Sequence, residues 1–575
     1  MERRVLPGLV LVSGFCGISY EILYGRLLGN LVGDQFAVNA AVLLTFLSGI
    51  GLGTLIAHRL WRHLWAIEAA VGGCALLFLV GTDTIEAWLY AQLPLLPGSV
   101  ATAVLVCGLL LLVPALLIGC TLPLLAGYLR ASVPGALFGR TYAVYNLGAA
   151  VTAIGIEFWL LRAVGLRGAT ALVAGLNGVV ALLLATLFWS LRKEAPPASG
   201  VEPVGSRRAI ALALVSVASA VFQLWMVKFA ELLFGPFRET FALVLSLVFL
   251  GIAIGSYLVA RFRLQFGGLL VANGLGLVWL LASTGWVAST YAVWCESAAE
   301  SAPLTTLLKL GCLAALMGVP AATFGATVPA LLGSERHPAL ESGRLLAISA
   351  FANAFGFLLM VLVLHRYLDY GVIILVAMTL VIAGLVVFRP KIVRSTLAGA
   401  GLLLGAIWIQ QNVWEEELLF VGHPSFHSTE DLAKARRRLV RSQRFKGSLD
   451  VFSINRVGSK TYFFINGYNS MVLESPSEKL VGAFSAMLAP RTDRALVLGV
   501  GSGATAGTVA LLFDHTDGVE ISRVILENLH RMDAHNFGLA RSDRATLIHD
   551  DAIHFVKGTE QTYSLIINTV TSPLY

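Results

Sequence analysis

The sequence predicts a polytopic α-helical membrane region followed by a C-terminal α/β region of Rossmann type. Composition supports the first part: 57% of the 575 residues are hydrophobic and only 13% are charged, and the mean hydropathy is +0.79. These values exclude an ordinary soluble protein. Pattern supports the second part, because from about Gly447 onward the long apolar runs give way to short alternating ones that are bounded by turn residues.

Twelve apolar segments are long enough to span a bilayer, which requires about twenty residues each. They begin near Leu6, Ala37, Leu64, Ser99, Ala136, Gly168, Ile210, Thr240, Gly267, Pro303, Gly343 and Gly371. The first segment has the charged start of a signal peptide, but its apolar run continues to about Val32 without a small-residue cleavage site. It is therefore expected to stay as the first membrane helix.

The two sets of six spans repeat each other. The stretch 20–60 aligns without gaps on 222–262, and GCTLP at 119–123 matches GATVP at 325–329. Because an even number of crossings separates the two sets, both halves have the same orientation, which is typical of major-facilitator transporters. The alignment matches Glu21 with Gln223, Arg26 with Lys228, Gly49 with Gly251, Gly53 with Gly255, and Gly139 with Gly343.

The distribution of Lys and Arg predicts the orientation. Most basic loop residues fall on the side of the N-terminus, and a minority fall on the other side: Arg162, Arg167, Arg238 and Arg366. Basic loops favour the cytoplasm, so the N-terminus is predicted to be cytoplasmic. The net charge of +7 has the same explanation, and no nucleic-acid partner is expected.

The predicted divisions are a first six-helix repeat (1–192), a cytoplasmic linker (193–208), a second repeat (209–390), a thirteenth membrane helix (391–414) and a C-terminal domain (415–575). The last contains a small strand subdomain (447–475) and a nucleotide fold (493–575). The apolar core of the thirteenth segment runs only from Leu397 to Ile409, so that spanning the bilayer and lying in its interface are both open. Basic residues before it and acidic ones after it favour spanning, which would place the C-terminal domain on the outer face.

Among the ionisable residues inside predicted spans, four are singled out: Glu21, Arg26, Glu157 and Lys228. Charges are costly in lipid, so these side chains are expected to face the bundle interior and to pair. Two interpretations are open, a path for a polar substrate or protons between the halves and a structural charge network that joins the repeats. In both cases the lipid bilayer is a partner.

The C-terminal region contains the elements of half a nucleotide site. The apolar strand 495–498 leads into Gly499, Gly501 and Gly503, a helix follows, and the next strand ends on Glu520. Glycines let backbone N–H groups approach a ligand, the helix N-terminus attracts anions, and the carboxylate can accept ribose hydroxyls. The alternative is that the glycines only make a tight turn and the acid is solvated.

Metal ligation is not expected. The six cysteines show no CxxC spacing, which predicts neither a zinc site nor a disulfide framework. The histidine pairs lack companion ligands and are predicted to be surface residues. They are His423 with His427, and His530 with His535.

The motif order resembles the spermidine synthase (polyamine aminopropyltransferase) family. It comprises a strand domain ending in NGYNS, the loop VLGVGSGATAG, the acid in DGVEIS, the pair in HDDAIHF and the segment YSLIINTVTSPLY. The membrane half, which opens SGFCGISYEILYGRLLG, resembles the transporter-like region of bacterial proteins in which that domain is fused to a multi-pass membrane region. The resemblance implies a protein of the bacterial cytoplasmic (inner) membrane.

The resemblance also implies a methyltransferase-like fold that binds decarboxylated S-adenosylmethionine or a related nucleoside. The three loop glycines would lie under the nucleoside, Glu520 would hold the ribose hydroxyls, and Asp551, with Asp550 beside it, would contact the adenine edge.

The family's catalytic acids are absent. Ser564, Thr569 and Ser572 occupy their positions. The family uses carboxylates there to deprotonate the attacking amine and to balance its charge. A hydroxyl cannot act as general base near neutral pH without its own activator.

The leading interpretation is therefore a membrane-integrated spermidine synthase-like protein that lacks aminopropyl transfer and acts as a binding or assembly module. The alternatives are an active aminopropyltransferase or related S-adenosyl-dependent enzyme, and a transporter with a regulatory nucleotide-fold domain. The family's sheet continues beyond the point where this sequence stops. Either the natural protein continues beyond Tyr575 or the nucleotide fold is incomplete, and an incomplete fold would have an open sheet edge that a protein partner would cover.

Overall fold

The computed structural model describes residues 2–32, 36–92, 100–133, 137–189, 203–298, 301–332, 337–388, 392–437, 442–448 and 450–569. Most of the predicted linker, 193–208, lies outside the described residues.

Long helices make up the chain as far as residue 388. They are α1 (Glu2–Val32), α2 (Phe36–Ile56), α3 (Leu64–Gln92), α4 (Val100–Ser132), α5 (Phe138–Ile154), α6 (Leu161–Leu187), α7 (Ser206–Phe234), α8 (Arg238–Phe262), α9 (Phe266–Ala298), α10 (Ala302–Gly325), α11 (Thr327–Leu331), α12 (Pro338–Leu359), α13 (His365–Tyr367) and α14 (Tyr370–Phe388). Within the described residues, ten stretches are long and apolar enough to cross a membrane. Two of them, Ala40–Ala91 and Phe138–Leu187, are about 50 residues long and contain two helices that are each long enough to span. The eight shorter stretches supply one crossing each and the two longer ones supply two each, which gives twelve crossings.

The bend between the fifth and sixth spans lies at Gly165, which agrees with the prediction that the sixth span begins near Gly168. The chain passes from α5 through a π-helical turn, Gly155–Leu160, directly into α6. Helical geometry is broken only at Gly165, where φ is +67°. A side chain would be strained in that conformation, so the glycine allows a sharp bend without a loop.

The sequence repeat is also present in the packing. Gly53 of α2 lies against the backbone of Leu116 on α4, and its match, Gly255 of α8, lies against the backbone of Ala322 on α10. A side chain at either glycine would collide with the facing helix, so the matched glycines permit the same close crossing in both halves.

The largest contacts between the halves are those of α2 with α12 and of α5 with α8. Gly343 of α12 faces the carbonyl of Thr54 on α2, and Gly139 of α5 faces the carbonyl of Ser256 on α8. Since α8 matches α2 and α5 matches α12, exchanging the halves interchanges the two contacts, as a parallel repeat requires. The predicted major-facilitator-like region of two six-helix repeats is confirmed.

A further helix, α15 (Ile392–Asn412), runs antiparallel to α14. Gly399 near its start lies against Ile382 near the end of α14, whereas Gln410 near its end lies against Gly371 at the start of α14. It also packs on α9. Because α15 follows α14 over its length, the chain returns to the end of the bundle opposite the N-terminus.

The C-terminal region is mixed α/β. Its elements are α16 (Thr429–Arg437), β1 (Ser442–Lys446), β2 (Val451–Val457), β3 (Lys460–Ile465), β4 (Tyr468–Val472), α17 (Ser477–Leu488), β5 (Arg494–Leu498), α18 (Ala504–Leu512), β6 (His515–Glu520), α19 (Arg523–Asn528), α20 (Asp533–Asn536), β7 (Ala545–His549), α21 (Ala552–Gly558) and β8 (Leu565–Asn568). Strands β1 to β4 form an antiparallel meander, and β5 to β8 form a parallel sheet in the order β7-β6-β5-β8. The chain order changes direction between β5 and β8, and ligands of such sheets bind at the carboxyl ends of the strands beside this switch.

Candidate nucleotide site and its docking on the membrane helices

The glycine loop lies at the carboxyl end of β5, beside the switch in strand order. Gly499, Gly501 and Gly503 have φ values of +84°, +52° and +81°, in the region that favours glycine. A Cβ atom on Gly503 would also lie 3.1 Å from side-chain atoms of Leu529 and Asn536. Both the backbone and the packing therefore call for glycine at this turn.

Glu520, at the end of β6, directs its carboxylate towards this loop. Its Oε2 accepts hydrogen bonds from the N–H groups of Val500 (3.0 Å) and Gly501 (2.9 Å), and its Oε1 accepts one from Ser522 (2.9 Å). Glu520 is only 6% exposed. Burial raises the pKa of its carboxyl, and the backbone hydrogen bonds oppose that shift. The side chain thus fastens the loop to β6.

The acidic pair follows β7, which pairs with β6 so that Glu520 and His549 are neighbours. Asp551 is the N-cap of α21 and accepts hydrogen bonds from the N–H groups of Ile553 (2.8 Å) and His554 (3.1 Å). Asp550 lies 2.9 Å from Nδ1 of His554. The structure therefore brings both acids to the same sheet edge as Glu520, and both contact α21.

The positions that carry acids in the resembling family are separated. Thr569 follows β8 beside the glycine loop, where its hydroxyl donates to the carbonyl of Leu498 at 3.0 Å. Ser564 lies at the amino end of β8, where its hydroxyl donates to Asp493. Ser564 is thus at the sheet edge away from the loop, and Ser572 lies outside the described residues.

The predicted membrane network is divided between the halves. Arg26 pairs with Glu157 at 2.5 Å within the first half, and Lys228 pairs with Glu231, almost one turn along α7, at 2.6 Å. Glu21 is half-buried on α1. Neither ion pair joins the halves.

A fully buried carboxylate in the first half was not predicted. Glu68 on α3 accepts hydrogen bonds from the Ser13 hydroxyl of α1 at 2.7 Å and from the Asn177 amide of α6 at 2.5 Å. Tyr20 donates to the amide oxygen of Asn177 at 2.8 Å. These hydrogen bonds connect the three helices α1, α3 and α6. The sequence signal for this buried carboxylate was a single acid within the apolar run LWAIEAAV.

The α/β region docks on the second half through a buried carboxylate. Glu416, which follows α15, accepts hydrogen bonds from the N–H groups of Tyr370 at 2.9 Å and Gly371 at 3.1 Å, and from the indole of Trp414 at 2.7 Å. Tyr370 and Gly371 open α14, so Glu416 caps a helix that begins 46 residues earlier. Backbone donors at a helix start need such an acceptor when they are buried.

The turn between β3 and β4 provides a second docking contact. A Cβ atom on Gly467 would lie 2.9 Å from the backbone of Leu232 near the end of α7. The N–H of His423 donates to the carbonyl of Gly467 at 2.8 Å, and its ring stacks on Tyr468 with centroids 5.4 Å apart. His423 is 6% exposed, so its prediction as a surface residue is wrong. Burial, with a contribution from His427, lowers the pKa of His423 to about 4.

Helix α21 contacts the first half. The ammonium of Lys557 lies 2.8 Å from the carboxylate of Glu86 on α3 and donates to the carbonyl of Asn30 on α1 at 3.0 Å. The ring of His554 lies 5.9 Å from that of Tyr90 on α3. A cavity of about 400 Å³ opens beside this contact, between α1, α3, α6 and Lys557.

These features define a multi-pass membrane protein with a major-facilitator-like helical region and a C-terminal mixed α/β region that contains a parallel sheet. No protein-family model matches the chain.

Two curated proteins of Streptomyces coelicolor are similar to the chain. Polyamine aminopropyltransferase 1 is 29% identical over 198 residues, and polyamine aminopropyltransferase 2 is 31% identical over 204 residues. Each alignment covers 32% of this chain and 34% of the relative. The similarity is distant, and the chain spans about a third of the length of the curated relatives it matches.

Two solved transporter structures also align with the chain. The human organic anion transporter MFSD10 (TETRAN) aligns at 16% identity with a TM-score of 0.35, over 72% of this chain and 100% of that one. An auto-inhibited POT family peptide transporter aligns at 15% identity with a TM-score of 0.27, over 75% of this chain and 97% of that one.

Proposed function

We propose that the protein is a membrane-integrated spermidine synthase-like protein whose α/β region serves as a binding or assembly module and does not transfer aminopropyl groups. The observation that carries this proposal is Thr569. It is the described counterpart of a family acid that lies beside the glycine loop, and its hydroxyl donates to the carbonyls of Leu498 and Gly499. A hydroxyl used as a donor in this way offers no base for the attacking amine.

The two carboxylates that the resemblance assigns to nucleoside binding also have structural roles in the α/β region. Glu520 accepts three backbone hydrogen bonds, and Asp551 accepts two at the start of α21. Hydrogen bonds to charged groups contribute about 1.5–3 kcal/mol each. A nucleoside that used these carboxylates would compete with those bonds, which favours weak binding over a site built for turnover.

The docking contacts support the assembly role. The acceptor Glu416 and the turn at Gly467 hold the α/β region against α14 and α7 of the second half, and Lys557 reaches the first half. Strand β8 also forms one end of the parallel sheet. Within the described residues β8 pairs with β5 alone, and the other side of an end strand is able to accept a further strand, so a protein partner that covers β8 belongs to the proposal.

The reaction itself tests the proposal. Purified full-length protein is incubated with decarboxylated S-adenosylmethionine and putrescine, and spermidine and methylthioadenosine are quantified. We expect no product above the level of a Glu520→Ala control. Turnover that disappears in the Glu520→Ala variant would overturn the proposal.

Two other functions have support from specific observations. The names of the two relatives, together with the glycine loop beside the strand-order switch, favour an active aminopropyltransferase or related S-adenosyl-dependent enzyme that binds decarboxylated S-adenosylmethionine. The two equivalent six-helix halves favour a transporter with a regulatory nucleotide-fold domain.

We further propose that the protein lies in the bacterial cytoplasmic membrane, with the N-terminus in the cytoplasm, α15 as a thirteenth crossing and the α/β region on the outer face. The antiparallel course of α15 along α14 and the excess of basic residues on the N-terminal side support this topology. S-adenosyl nucleotides are made inside cells, so an outer location agrees with the absence of catalytic acids.

A further inference from the structure

We propose that α21 is a releasable latch. In this proposal the α/β region moves as one body with the second half of the membrane region, and Lys557 fastens it to the first half.

The α/β region contacts both halves at one end of the helix bundle. Asn30 and Glu86 lie near the ends of α1 and α3 that point away from the N-terminus, and Tyr370 lies at the start of α14 at the same end. A single body therefore bridges the two halves on one face. Any rocking of one half against the other must break one of its two attachments.

The attachment to the second half is buried and has several parts. His365 and Tyr370 are fully buried, and Nδ1 of His365 donates to the carbonyl of Gly447 at 2.8 Å. Glu416 accepts the backbone hydrogen bonds of α14, and Lys446 donates to the carbonyl of Leu368 at 2.9 Å. Separation here would expose or strand buried polar groups, which is costly.

The attachment to the first half is partly exposed and contains one ion pair, Lys557 with Glu86, beside the ring contact of His554 with Tyr90. Lys557 and Glu86 have side chains 32% and 33% exposed, and ion pairs open to solvent are weak. The only direct ion pair between the halves within the described residues, Arg162 with Glu239 at 3.2 Å, is more exposed still. The contacts on the first-half side are therefore the ones that open first.

The opening of the latch would also change the cavity of about 400 Å³ beside it. Lys557 forms part of the cavity wall, together with Asn30, Glu86 and a second exposed ion pair, Asp83 with Arg167 at 2.6 Å. Release of α21 removes that part of the wall and opens the outer ends of α1, α3 and α6 to solvent.

Spin-label distances in the full chain test the latch. One label is placed on the α/β region at Asp543→Cys and the other on the first half at Thr84→Cys or on the second half at Ser297→Cys, all exposed positions. Cys74 is replaced by Ser, since the other native cysteines are buried.

The Lys557→Glu variant is expected to lengthen and broaden the distance to Thr84→Cys and to leave the distance to Ser297→Cys unchanged. The Lys557→Glu, Glu86→Lys double variant is expected to restore the first distance. Arg523→Glu is the matched control, because it breaks an exposed ion pair with Glu527 inside α19 and is expected to change neither distance.

Three outcomes would overturn the proposal. The first is an unchanged Thr84→Cys distance in Lys557→Glu, which would mean that other contacts fix the first half. The second is an equal change in both distances, which would mean that the second-half attachment releases too. The third is failure of the double variant to restore the distance, which would remove the ion pair as the cause.

Discussion

Docking of the turn between β3 and β4 is expected to weaken as the pH falls from 7 to 5, because His423 is held neutral. Its ring lies between Tyr468 and Phe237, with centroids 5.4 Å from each. Burial lowers the pKa of His423 from its ordinary 6.5 to about 4. The pKa is lower in the docked state, so the undocked state binds the proton more tightly. The stabilisation of the docked state relative to the undocked state is therefore complete above pH 6.5, and it is lost as the pH falls towards 4.

The size of the effect follows from the two pKa values. They differ by about 2.5 (6.5 minus 4), and each pKa unit corresponds to 1.36 kcal/mol. The full loss below pH 4 is then about 3 kcal/mol, and linkage gives about 2 kcal/mol at pH 5. Because a small part of this loss is already present at pH 7, the open population increases roughly 20-fold between pH 7 and pH 5.

Hydrogen exchange measured by mass spectrometry on peptides covering 460–472 and 226–234 detects this opening. After correction for the intrinsic pH dependence of exchange, wild-type protein should exchange roughly 20-fold faster at pH 5 than at pH 7. The His423→Phe variant keeps an aromatic ring and should lose most of the dependence. His427 and Lys309 face the same ring, so His427→Gln serves as the control and should retain most of it. Equal pH dependence in wild type and His423→Phe would refute the reasoning.

Three further variants test the packing. Glu416→Ala leaves the buried donors of α14 and the Trp414 indole without an acceptor, at 1–3 kcal/mol per group, and is expected to lower the melting temperature in detergent; an unchanged value would contradict the capping role. Helix α10 lies against Gly255, so Gly255→Val is expected to abolish the monodisperse peak in size-exclusion chromatography. A Cβ atom on Gly268 would point into open space, so Gly268→Val is expected to keep that peak. Identical elution profiles of the two variants would contradict the close helix crossing. Glu68→Leu leaves the Ser13 hydroxyl and the Asn177 amide without an acceptor, and it is expected to destabilise the protein by about 2 kcal/mol or more in thermal unfolding. Glu68→Gln keeps an acceptor and is expected to destabilise the protein less. Equal losses of stability in the two variants would contradict the hydrogen-bonded role of Glu68.

The membrane region could be predicted largely because lipid restricts its structure. A chain in the hydrocarbon core must satisfy its own backbone hydrogen bonds, so apolar runs of about twenty residues indicate helices. The matched Gly53 and Gly255 then marked equivalent crossings, since only glycine permits such close approach. The sixth span was likewise predicted to begin near Gly168, and the bend that separates it from the fifth span lies at Gly165.

The tertiary contacts of polar side chains could not be predicted in this way. Glu416 caps α14 across 46 residues of sequence, and no local pattern connects the two. His423 had no visible ligand companions and was predicted to be exposed, yet the docking of two regions buries it. Glycine spacing indicated the loop of the candidate nucleotide site, whereas the three hydrogen bonds that Glu520 accepts depend on how β6 and that loop approach each other.

The central claim, that the α/β region is a docked module on the outer face and not a cytoplasmic enzyme, is tested most directly by its accessibility in intact cells. Ser459→Cys places a thiol in the exposed turn between β2 and β3, in a chain with Cys74 replaced by Ser. Ser206→Cys, exposed at the start of α7 on the N-terminal side, is the matched control. With a membrane-impermeant maleimide, we predict that Ser459→Cys is labelled in intact cells and that Ser206→Cys is labelled only after lysis. Labelling of Ser459→Cys only after lysis would place the region in the cytoplasm and contradict the claim.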